Sequence, residues 1–488
     1  MAVCAFVHSA AVEVTVKVTD KQSGEPAEFA AVAWAGRTSD KNTGGLTDHS
    51  GTYIADLPPG QWRLSVSSVG FTPYHSTVNI TTTPLTISVS LEESYTQIGE
   101  VVVTAREGKG ITSASLIDRT AMEHLQPSSF TDLMEMLPGA VSKAPEMGKA
   151  NLAGIRQAQN ASTEGYDAAS LGTSFVIDGV PVNTGADLQS TADATRADRL
   201  TAGKGVDMRS ISTDDIESVE VVRGIASAEY GEVSSGLVQI KRKTGATPLQ
   251  ARFKADMQSQ LFYIGKGVAM PSSDWTLNFG ADYLDSKIDP RNSRENYKRV
   301  TASARSAKKW SGQQLTATWS SSLNYTVDYY TSDNHRFSWD NTLALVAPLQ
   351  PFFHSLTLTT GISYSDERLH QEKTIASSRL YPMPVSLRPG TNIVGYLPMI
   401  YLADLDVLGN PFTAYVKAAS RFRYSLPFAS NILKAGVEWN MSKNYGKGQV
   451  YDLMRPITAG NNRRPRPFSD VPAMHQLSAY LEHESEIH

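Results

Sequence analysis

From about residue 250 onward, apolar and polar residues alternate along segment after segment. In LTATWSSSLNYTVDYY, residues 315–330, odd positions such as Leu315, Trp319 and Leu323 are apolar, whereas even positions such as Thr316 and Asn324 are polar. Successive side chains of a β-strand point to opposite faces of the sheet. The alternation therefore predicts long strands with one apolar and one polar face.

The same period recurs at Leu356, Leu358 and Ile362, and again at Leu433 and Val437. These segments are longer than the strands of most soluble sheets. Aromatic residues lie near their ends, as at Trp310, Tyr329, Tyr330 and Trp339. A soluble sandwich gives the same alternation, but the length, the terminal aromatic residues and the small polar residues on the second face favour a transmembrane β-barrel.

Roughly nine alternating segments follow residue 249. They are residues 250–263, 274–286, 296–310, 313–330, 335–347, 354–371, 412–424, 430–445 and 474–485. Bacterial single-chain barrels have an even number of strands, and an unclosed wall exposes unpaired backbone groups to lipid. We therefore expect residues 247–488 to be the N-terminal part of a barrel, and the natural gene to continue.

Composition narrows the functional class. The chain has 488 residues, 41% of them hydrophobic, and a formal net charge of −4, so nothing in it suggests a nucleic-acid partner. No apolar run reaches the roughly 20 residues of a transmembrane helix. The single cysteine, Cys4, lies in MAVCAFVHSAA, and residues 1–11 are predicted to be a remnant of a signal peptide, with a frayed strand end as the alternative.

Residues 12–92 form a first predicted domain. Short β-rich runs such as VEVTVKVTD and QWRLSVSSVGF are separated by the turn sequences SGEP, DHSG and PPG, a pattern that predicts a β-sandwich. The segment resembles the carboxypeptidase regulatory-like domain, which has an Ig-like or transthyretin-like fold. The resemblance implies a structural or interaction module without catalysis.

Residues 111–246 mix helical and strand signals, and three of their phrases resemble the plug domain of TonB-dependent outer-membrane receptors. These phrases are LMEMLPGAV, FVIDGVPV and IESVEVVRGIASAEYGEVSSGLVQIKRKTG. The resemblance implies an α/β plug and a mainly β chain overall. The residues that carry it are Leu137, Pro138, Gly139, Ile177, Asp178, Gly179, Val219, Glu220, Val221, Arg223, Gly224, Tyr230, Gly231, Ser235 and Gly236. We expect Arg223 to pair with carboxylates of the barrel wall.

The linker, residues 93–110, contains EVVVTA, which resembles the TonB box of these receptors. The segment consists of Glu100, Val101, Val102, Val103, Thr104 and Ala105. An extended β-branched peptide with free backbone groups can join the sheet edge of a partner, here a TonB-type energy transducer. A last strand of the sandwich and a plain linker are the alternatives.

A regulatory-like sandwich before the TonB box is the layout of Bacteroidetes-type receptors. The resemblance implies a receptor in the bacterial outer membrane that contacts lipid, has a periplasmic N-terminal domain and imports a small nutrient. That nutrient would be a siderophore, haem, cobalamin, an oligosaccharide or a peptide. The alternatives are a SusC-like glycan importer with a surface lipoprotein and a barrel that transports nothing. TAREGKG departs from the SusC-like pattern, which puts the lipoprotein in doubt.

No catalytic pattern emerges from the sequence. His483 and His488 are spaced unlike the two histidines of a zinc helix, and no phosphate loop or nucleophile elbow is present. Asp214 and Asp215 precede a predicted strand, where we expect them to cap a turn or face solvent. The sequence therefore predicts no catalytic, cofactor-binding or metal-binding residue, and a periplasmic enzyme is the least favoured reading.

Overall fold

The computed structural model describes most of the chain from residue 12 to residue 487. The described residues are 12–21, 24–36, 42–68, 71, 73–81, 83–91, 106–107, 114–137, 151, 153, 155, 172–188, 205–231, 233, 235–270, 273–287, 289, 291–292, 294–310, 315–330, 333–349, 353–386, 388, 390, 394–426, 429–459 and 464–487. Met1–Val102 and Val103–His488 form two compact units. Each unit is described by itself.

The first unit is a sandwich of two sheets. One has the order β4-β1-β7 and the other β3-β2-β5-β6, with β1 and β7 parallel. Val14, Val16 and Val18 on β1 have no exposed surface, and Trp34 is 1% exposed. The strands are β1 (Val12–Asp20), β2 (Ala31–Gly36), β3 (Asn42–Leu46), β4 (Thr52–Leu57), β5 (Gly60–Ser67), β6 (Tyr74–Ile80) and β7 (Leu85–Leu91).

The second unit begins with a six-stranded sheet, which we call the plug, in the order β11-β10-β13-β12-β9-β8. Two short helices pack on it, and Phe130 of the second helix meets Phe175 with ring centroids 5.8 Å apart. The elements are β8 (Arg106–Glu107), β9 (Ala114–Asp118), α1 (Arg119–Leu125), α2 (Phe130–Leu133), β10 (Thr173–Ile177), β11 (Val180–Pro181), β12 (Ile216–Val222) and β13 (Gly236–Arg242). Short 3-10 turns occur at Met134–Met136, Gly185–Leu188 and Met208–Ser210. None of the described helices is long and apolar enough to cross a membrane.

The rest of the second unit is dominated by a twelve-stranded sheet, which we call the wall. Its members pair antiparallel with their neighbours from β14 to β27, and β23 and β26 extend it beside β20. The strands are β14 (Thr247–Ala255), β15 (Ser259–Met270), β16 (Trp275–Ser286), β17 (Tyr297–Trp310), β18 (Leu315–Asp328), β19 (Asp333–Leu349), β20 (Phe353–Ala376), β23 (Ile400–Gly409), β24 (Pro411–Leu426), β25 (Ala429–Asn444), β26 (Gly448–Tyr451) and β27 (Met474–Ile487). A separate hairpin consists of β21 (Pro382–Pro384) and β22 (Val394–Tyr396), and a last 3-10 turn lies at Phe468–Asp470.

The two faces of the wall differ as the alternation predicts. Trp319, Leu323 and Ile362 are 43% to 50% exposed on the outer face. On the inner face the register places polar side chains side by side, as for Ser303 opposite Ser322. An apolar outside and a polar inside are the pattern of a transmembrane β-barrel wall.

The connections divide the wall into two ends. At one end, which we call the short-turn end, residues 271–274, 311–314, 350–352 and 427–428 link consecutive strands. At the other, the long-loop end, residues 377–399 and 445–473 form the largest connections. There β20 continues past β24 and pairs with β23, and a cluster that includes Met383, Leu397 and Leu405 packs behind them.

One predicted segment and one missed strand show where the sequence prediction and the observed wall differ. Residues 250–263 are a hairpin, because the Asp256 carboxylate accepts hydrogen bonds from the backbone N–H groups of Gln258 and Ser259 at 2.8 and 2.6 Å and turns the chain. The sequence prediction also missed Ile400–Gly409, which lies beyond the main wall. The turn lacks glycine and proline, so the prediction had no breaker to detect.

We predict that Gly51→Ala destabilises the sandwich by more than 1 kcal/mol. Gly51 has φ +68°, and an added Cβ would lie 2.3 Å from the carbonyl oxygen of Val18. Gly24→Ala is the matched control, because Gly24 has φ +70° but open space around its missing Cβ. Hydrogen exchange of the β1 amides should accelerate much more in the Gly51 variant than in the control. Equal effects would mean that backbone strain alone, and not the contact with Val18, sets the cost.

Candidate functional site

The plug meets the inner face of the wall through charged contacts. The most buried of these centres on Arg299 of β17, whose side chain has no exposed surface. Its guanidinium donates to Asp282 of β16 at 2.7 Å and to the carbonyl oxygens of Arg209 and Ile211 in the plug at 2.7 and 3.1 Å. One wall cation thus holds both a wall carboxylate and the plug backbone.

Arg209 extends this contact in the opposite direction. Its guanidinium donates to Asp207 in the plug and to Asp328 at the end of β18, both at 2.8 Å. It also lies 4.3 Å from the ring centre of Tyr297 on β17, in cation–π geometry. We call Asp207, Arg209, Asp282, Arg299 and Asp328 the Arg299 anchor.

A second contact depends on the hairpin between β10 and β11. Ile177 pairs with Val180, so Asp178 and Gly179 form a two-residue turn, and their φ values of 50° and 83° fit a type I′ turn. The turn presents the Asp178 carboxylate to the wall. Arg305 of β17 donates to it at 2.8 Å, and Arg242 lies 3.9 Å away.

Arg242 links this turn to two further groups. Its guanidinium lies 3.7 Å from Asp215 and donates to Ser320 of β18 at 3.1 Å, and its carbonyl oxygen accepts from Arg305 at 3.0 Å. We call Asp178, Asp215, Arg242 and Arg305 the Asp178 anchor. It holds the end of β13 and the tip of the β10–β11 hairpin against wall strands β17 and β18.

The third contact involves the loop after β12. Glu229 pairs with Lys417 of β24 at 2.9 Å, and the lysine is 5% exposed. Glu482 of β27 accepts from the Ser227 hydroxyl and the Ala228 amide at 2.6 and 2.7 Å. We call Ser227, Glu229, Lys417 and Glu482 the Glu229 anchor.

Asp214 lies in a turn before β12, as the sequence predicts, but the expectation that it faces solvent is wrong. It is 2% exposed and pairs with Arg252 of β14 at 2.7 Å. Burial raises the pKa of Asp214, and Arg252 acts in the opposite direction. Burial also raises the pKa of Asp215, against the effect of Arg242. Asp214 thus serves plug–wall contact, whereas Asp215 pairs with Arg242 within the plug.

Two glycines allow the backbones to approach closely. A Cβ at Gly361 of β20 would lie 2.5 Å from a methyl group of Val180 in the plug hairpin. At Gly185 of the plug, it would lie 3.1 Å from the Met474 methyl and 3.2 Å from the Ser442 hydroxyl. Glycine at these positions lets plug and wall approach closely.

The residues that carry the plug resemblance occupy different places. Val219 and Val221 have no exposed surface and lie in the core with Ile177, whereas Ser235 and Gly236 begin β13 and Leu137 closes the helical segment. The ring centre of Tyr230 lies 5.1 Å from the Lys417 Nζ atom. Glu220 is on β12, and Gly224 and Gly231 lie between β12 and β13. The residues outside the described part of the chain are Pro138, Gly139 and the segment from Glu100 to Ala105.

Arg223 donates to the Ser115 hydroxyl of β9 at 2.9 Å. Ser115 has no exposed surface. This contact lies within the plug, and pairing of Arg223 with a wall carboxylate stays a prediction. Ion pairs between plug and wall are formed by Asp178, Arg209 and Glu229, among others.

Sequence reasoning missed most of the anchors. Arg299, Arg305 and Lys417 occupy inner-face positions of alternating strands, where charged residues are common and carry no motif. Arg209 lies in a polar stretch that gives no strand or helix signal. A charge on the inner face of a strand is the available signal, but its partner depends on plug–wall register, which alternation does not contain.

Two family profiles match the chain. Residues 108–238 match the TonB-dependent Receptor Plug Domain, and residues 15–103 match the CarboxypepD_reg-like domain. A comparison with curated protein sequences gives no match.

Solved structures with a similar fold include three receptors. The ferric citrate transporter FecA in its unliganded form has a TM-score of 0.52 at 10% identity, with 79% of this chain and 57% of that chain covered. The siderophore receptor PirA from Acinetobacter baumannii has a TM-score of 0.45 at 15% identity, with 68% of this chain and 48% of that chain covered. The ferric enterobactin receptor PfeA has a TM-score of 0.48 at 16% identity, with 76% of this chain and 55% of that chain covered. The chain thus spans about half the length of these structures.

The plug held against the inner face of an antiparallel, outwardly apolar wall is the fold of TonB-dependent β-barrel receptors. The family match supports this fold, since residues 108–238 contain a TonB-dependent receptor plug domain.

We predict that Arg299→Met lowers stability by about 3–5 kcal/mol, because it leaves the buried Asp282 carboxylate of the wall without its cation. The variant also loses the hydrogen bonds to the carbonyl oxygens of Arg209 and Ile211, so hydrogen exchange of residues 207–211 should accelerate. Adding Asp282→Asn should restore part of the loss, since the unpaired charge is then gone. A double variant as unstable as the sum of both single variants would contradict this account.

Arg223→Ala should loosen β9 and make the outer membrane more permeable to bulky antibiotics. Ser115→Ala removes only the accepting hydroxyl, at a cost of about 1 kcal/mol, and should act in the same direction with a smaller effect. Both variants are compared at equal receptor abundance. Unchanged antibiotic sensitivity in both would remove this role from the Arg223–Ser115 hydrogen bond.

Proposed function

We propose that this chain belongs to an energised importer of the bacterial outer membrane. The apolar outer face of the wall lies in lipid, the short-turn end faces the periplasm, and the N-terminal sandwich is periplasmic. Short periplasmic turns and longer extracellular loops are the rule for such walls. A small nutrient binds at the long-loop end, and displacement of the plug opens its path.

The observation that carries the proposal is the position of β8. Arg106 and Glu107 follow the proposed TonB box directly, and they pair with Leu116 and Ser115 of β9 at the edge of the plug sheet. β9 pairs in turn with β12. A force applied to residues 100–105 is therefore transmitted to the plug through β8, an edge strand held by two residue pairs.

The partner at residues 100–105 is a TonB-type transducer that adds the segment to the edge of its own sheet. About four backbone hydrogen bonds at roughly 0.5–1.5 kcal/mol each make such docking reversible. Reversible docking suits a transducer that must release the receptor after each cycle.

The nutrient belongs to the group formed by siderophores, haem, cobalamin, oligosaccharides and peptides. Each of these nutrients is too large or too scarce to rely on passive entry. A plugged and energised path serves the import of such nutrients. Growth of a receptor-deleted strain, complemented with this gene on each nutrient as a limiting source, identifies the member.

Val102→Pro should abolish uptake without lowering the amount of receptor in the outer membrane. Proline removes a backbone donor and fixes φ within the docking strand. Val102→Ala keeps the donor and serves as the control, with uptake close to that of the unchanged receptor. Full uptake by the proline variant would refute the TonB-box assignment, and a receptor that supports no uptake of any nutrient would favour the non-transporting barrel.

A further inference from the structure

A cluster of ionisable side chains lies on the outer face of the wall, where β20 and β23 pair beyond β24. His370 is directly opposite Asp406, and Glu372 is directly opposite Asp404. The His370 Nδ1 atom lies 3.1 Å from an Asp406 oxygen and 3.4 Å from an Asp404 oxygen. One nitrogen therefore faces two carboxylates.

The backbone beneath this cluster is held in place. The opposite face of the same two strands carries Ile375, Tyr401, Ala403 and Leu405, which are 9% exposed or less. They pack with Met383 and Leu397 in one apolar cluster. The side chains of His370, Asp404 and Asp406 thus project from a fixed ribbon, and ligand positions would need little reorganisation.

The charge balance of the cluster is unfavourable without a further cation. Like charges directly opposite each other on paired strands are destabilising, and Glu372 faces Asp404 in this way. Arg368 donates to Asp406 at 3.2 Å, but its side chain is 58% exposed. One well-solvated guanidinium does not balance three carboxylates.

We propose that His370, Asp404 and Asp406 bind a divalent transition-metal ion, with Zn²⁺ as the reference ion. Zinc binds imidazole nitrogen and carboxylate oxygen at about 2.0–2.2 Å, and two ligands at the tetrahedral angle are then about 3.3–3.6 Å apart. The distances from His370 Nδ1 to the carboxylates of Asp406 and Asp404, 3.1 and 3.4 Å, lie close to that range. One ligand atom from each residue lies within 4.8 Å of the others.

The ligand set distinguishes this site from a calcium site. Calcium takes six to eight oxygen ligands, whereas three ligands that include an imidazole suit zinc and its neighbours in the first transition row. The fourth position is open to water or to Glu372. Bound metal would join β20 to β23 across the ribbon and cancel the repulsion at its outer face.

Arg368 and the metal compete for Asp406. Metal binding requires that the guanidinium leave this carboxylate, so Arg368→Ala should increase metal affinity. If the cluster were only an ion-pair network, the same substitution would weaken the network and produce no metal site. The two accounts therefore predict different results for one variant.

The test is calorimetric titration of the detergent-purified receptor with ZnCl₂, with Co²⁺ absorption as a spectroscopic readout of ligand geometry. We expect one equivalent of Zn²⁺ to bind, and His370→Gln and Asp406→Asn each to weaken binding by about tenfold or more. His475→Ala is the matched control, because His475 lies on the same face of the wall, stacked on Trp439, and should not change the affinity.

Four outcomes would overturn the proposal, three of them in the zinc titration. These three are no zinc binding by the unchanged receptor, binding that survives both His370→Gln and Asp406→Asn, and weaker binding by Arg368→Ala. Circular dichroism of each variant establishes that it is folded. Calcium binding of equal strength in the receptor and in His370→Gln would show an acidic cluster without an imidazole ligand, which also contradicts the proposal.

Discussion

The wall strands carry mostly apolar side chains on their outer face and most of their buried polar side chains on their inner face, and this constraint shapes the rest of the second unit. Charged inner-face residues such as Arg299 and Lys417 are 0% and 5% exposed, so each needs a partner to offset desolvation. The plug supplies the backbone carbonyls of Arg209 and Ile211 and the carboxylate of Glu229. The interior is thus filled by complementary charge more than by apolar packing.

That choice of contact affects how the plug can move. Removal of the plug as one body would break the Arg299, Asp178 and Glu229 anchors together, and each charged group of these anchors would need a new partner or hydration. Peeling of β8 from β9 breaks two residue pairs at a sheet edge and leaves every anchor intact. Local change that begins at the edge is therefore energetically far cheaper than release of the whole plug.

The sequence predicted the wall because alternation is a local property: residues 315–328 alternate between the two faces within one strand, β18. It misplaced the β14–β15 hairpin because Asp256 turns the chain through its side chain. It misjudged Asp214 because this plug residue pairs with Arg252 of wall strand β14, and the sequence around Asp214 does not show that partner. It missed His370 with Asp406, which lie 36 positions apart, since only strand register brings them together.

Asp178 shows how one residue can satisfy both local and distant requirements. A type I′ turn needs positive φ at both central positions, which Asp, Asn and Gly tolerate best. Of these, only Asp also presents a carboxylate to Arg305 and Arg242. Asn would keep the turn and lose the charge, and Glu would keep the charge and strain the turn. The Ile-Asp-Gly-Val phrase is therefore restricted twice, by backbone geometry and by the cations of the wall.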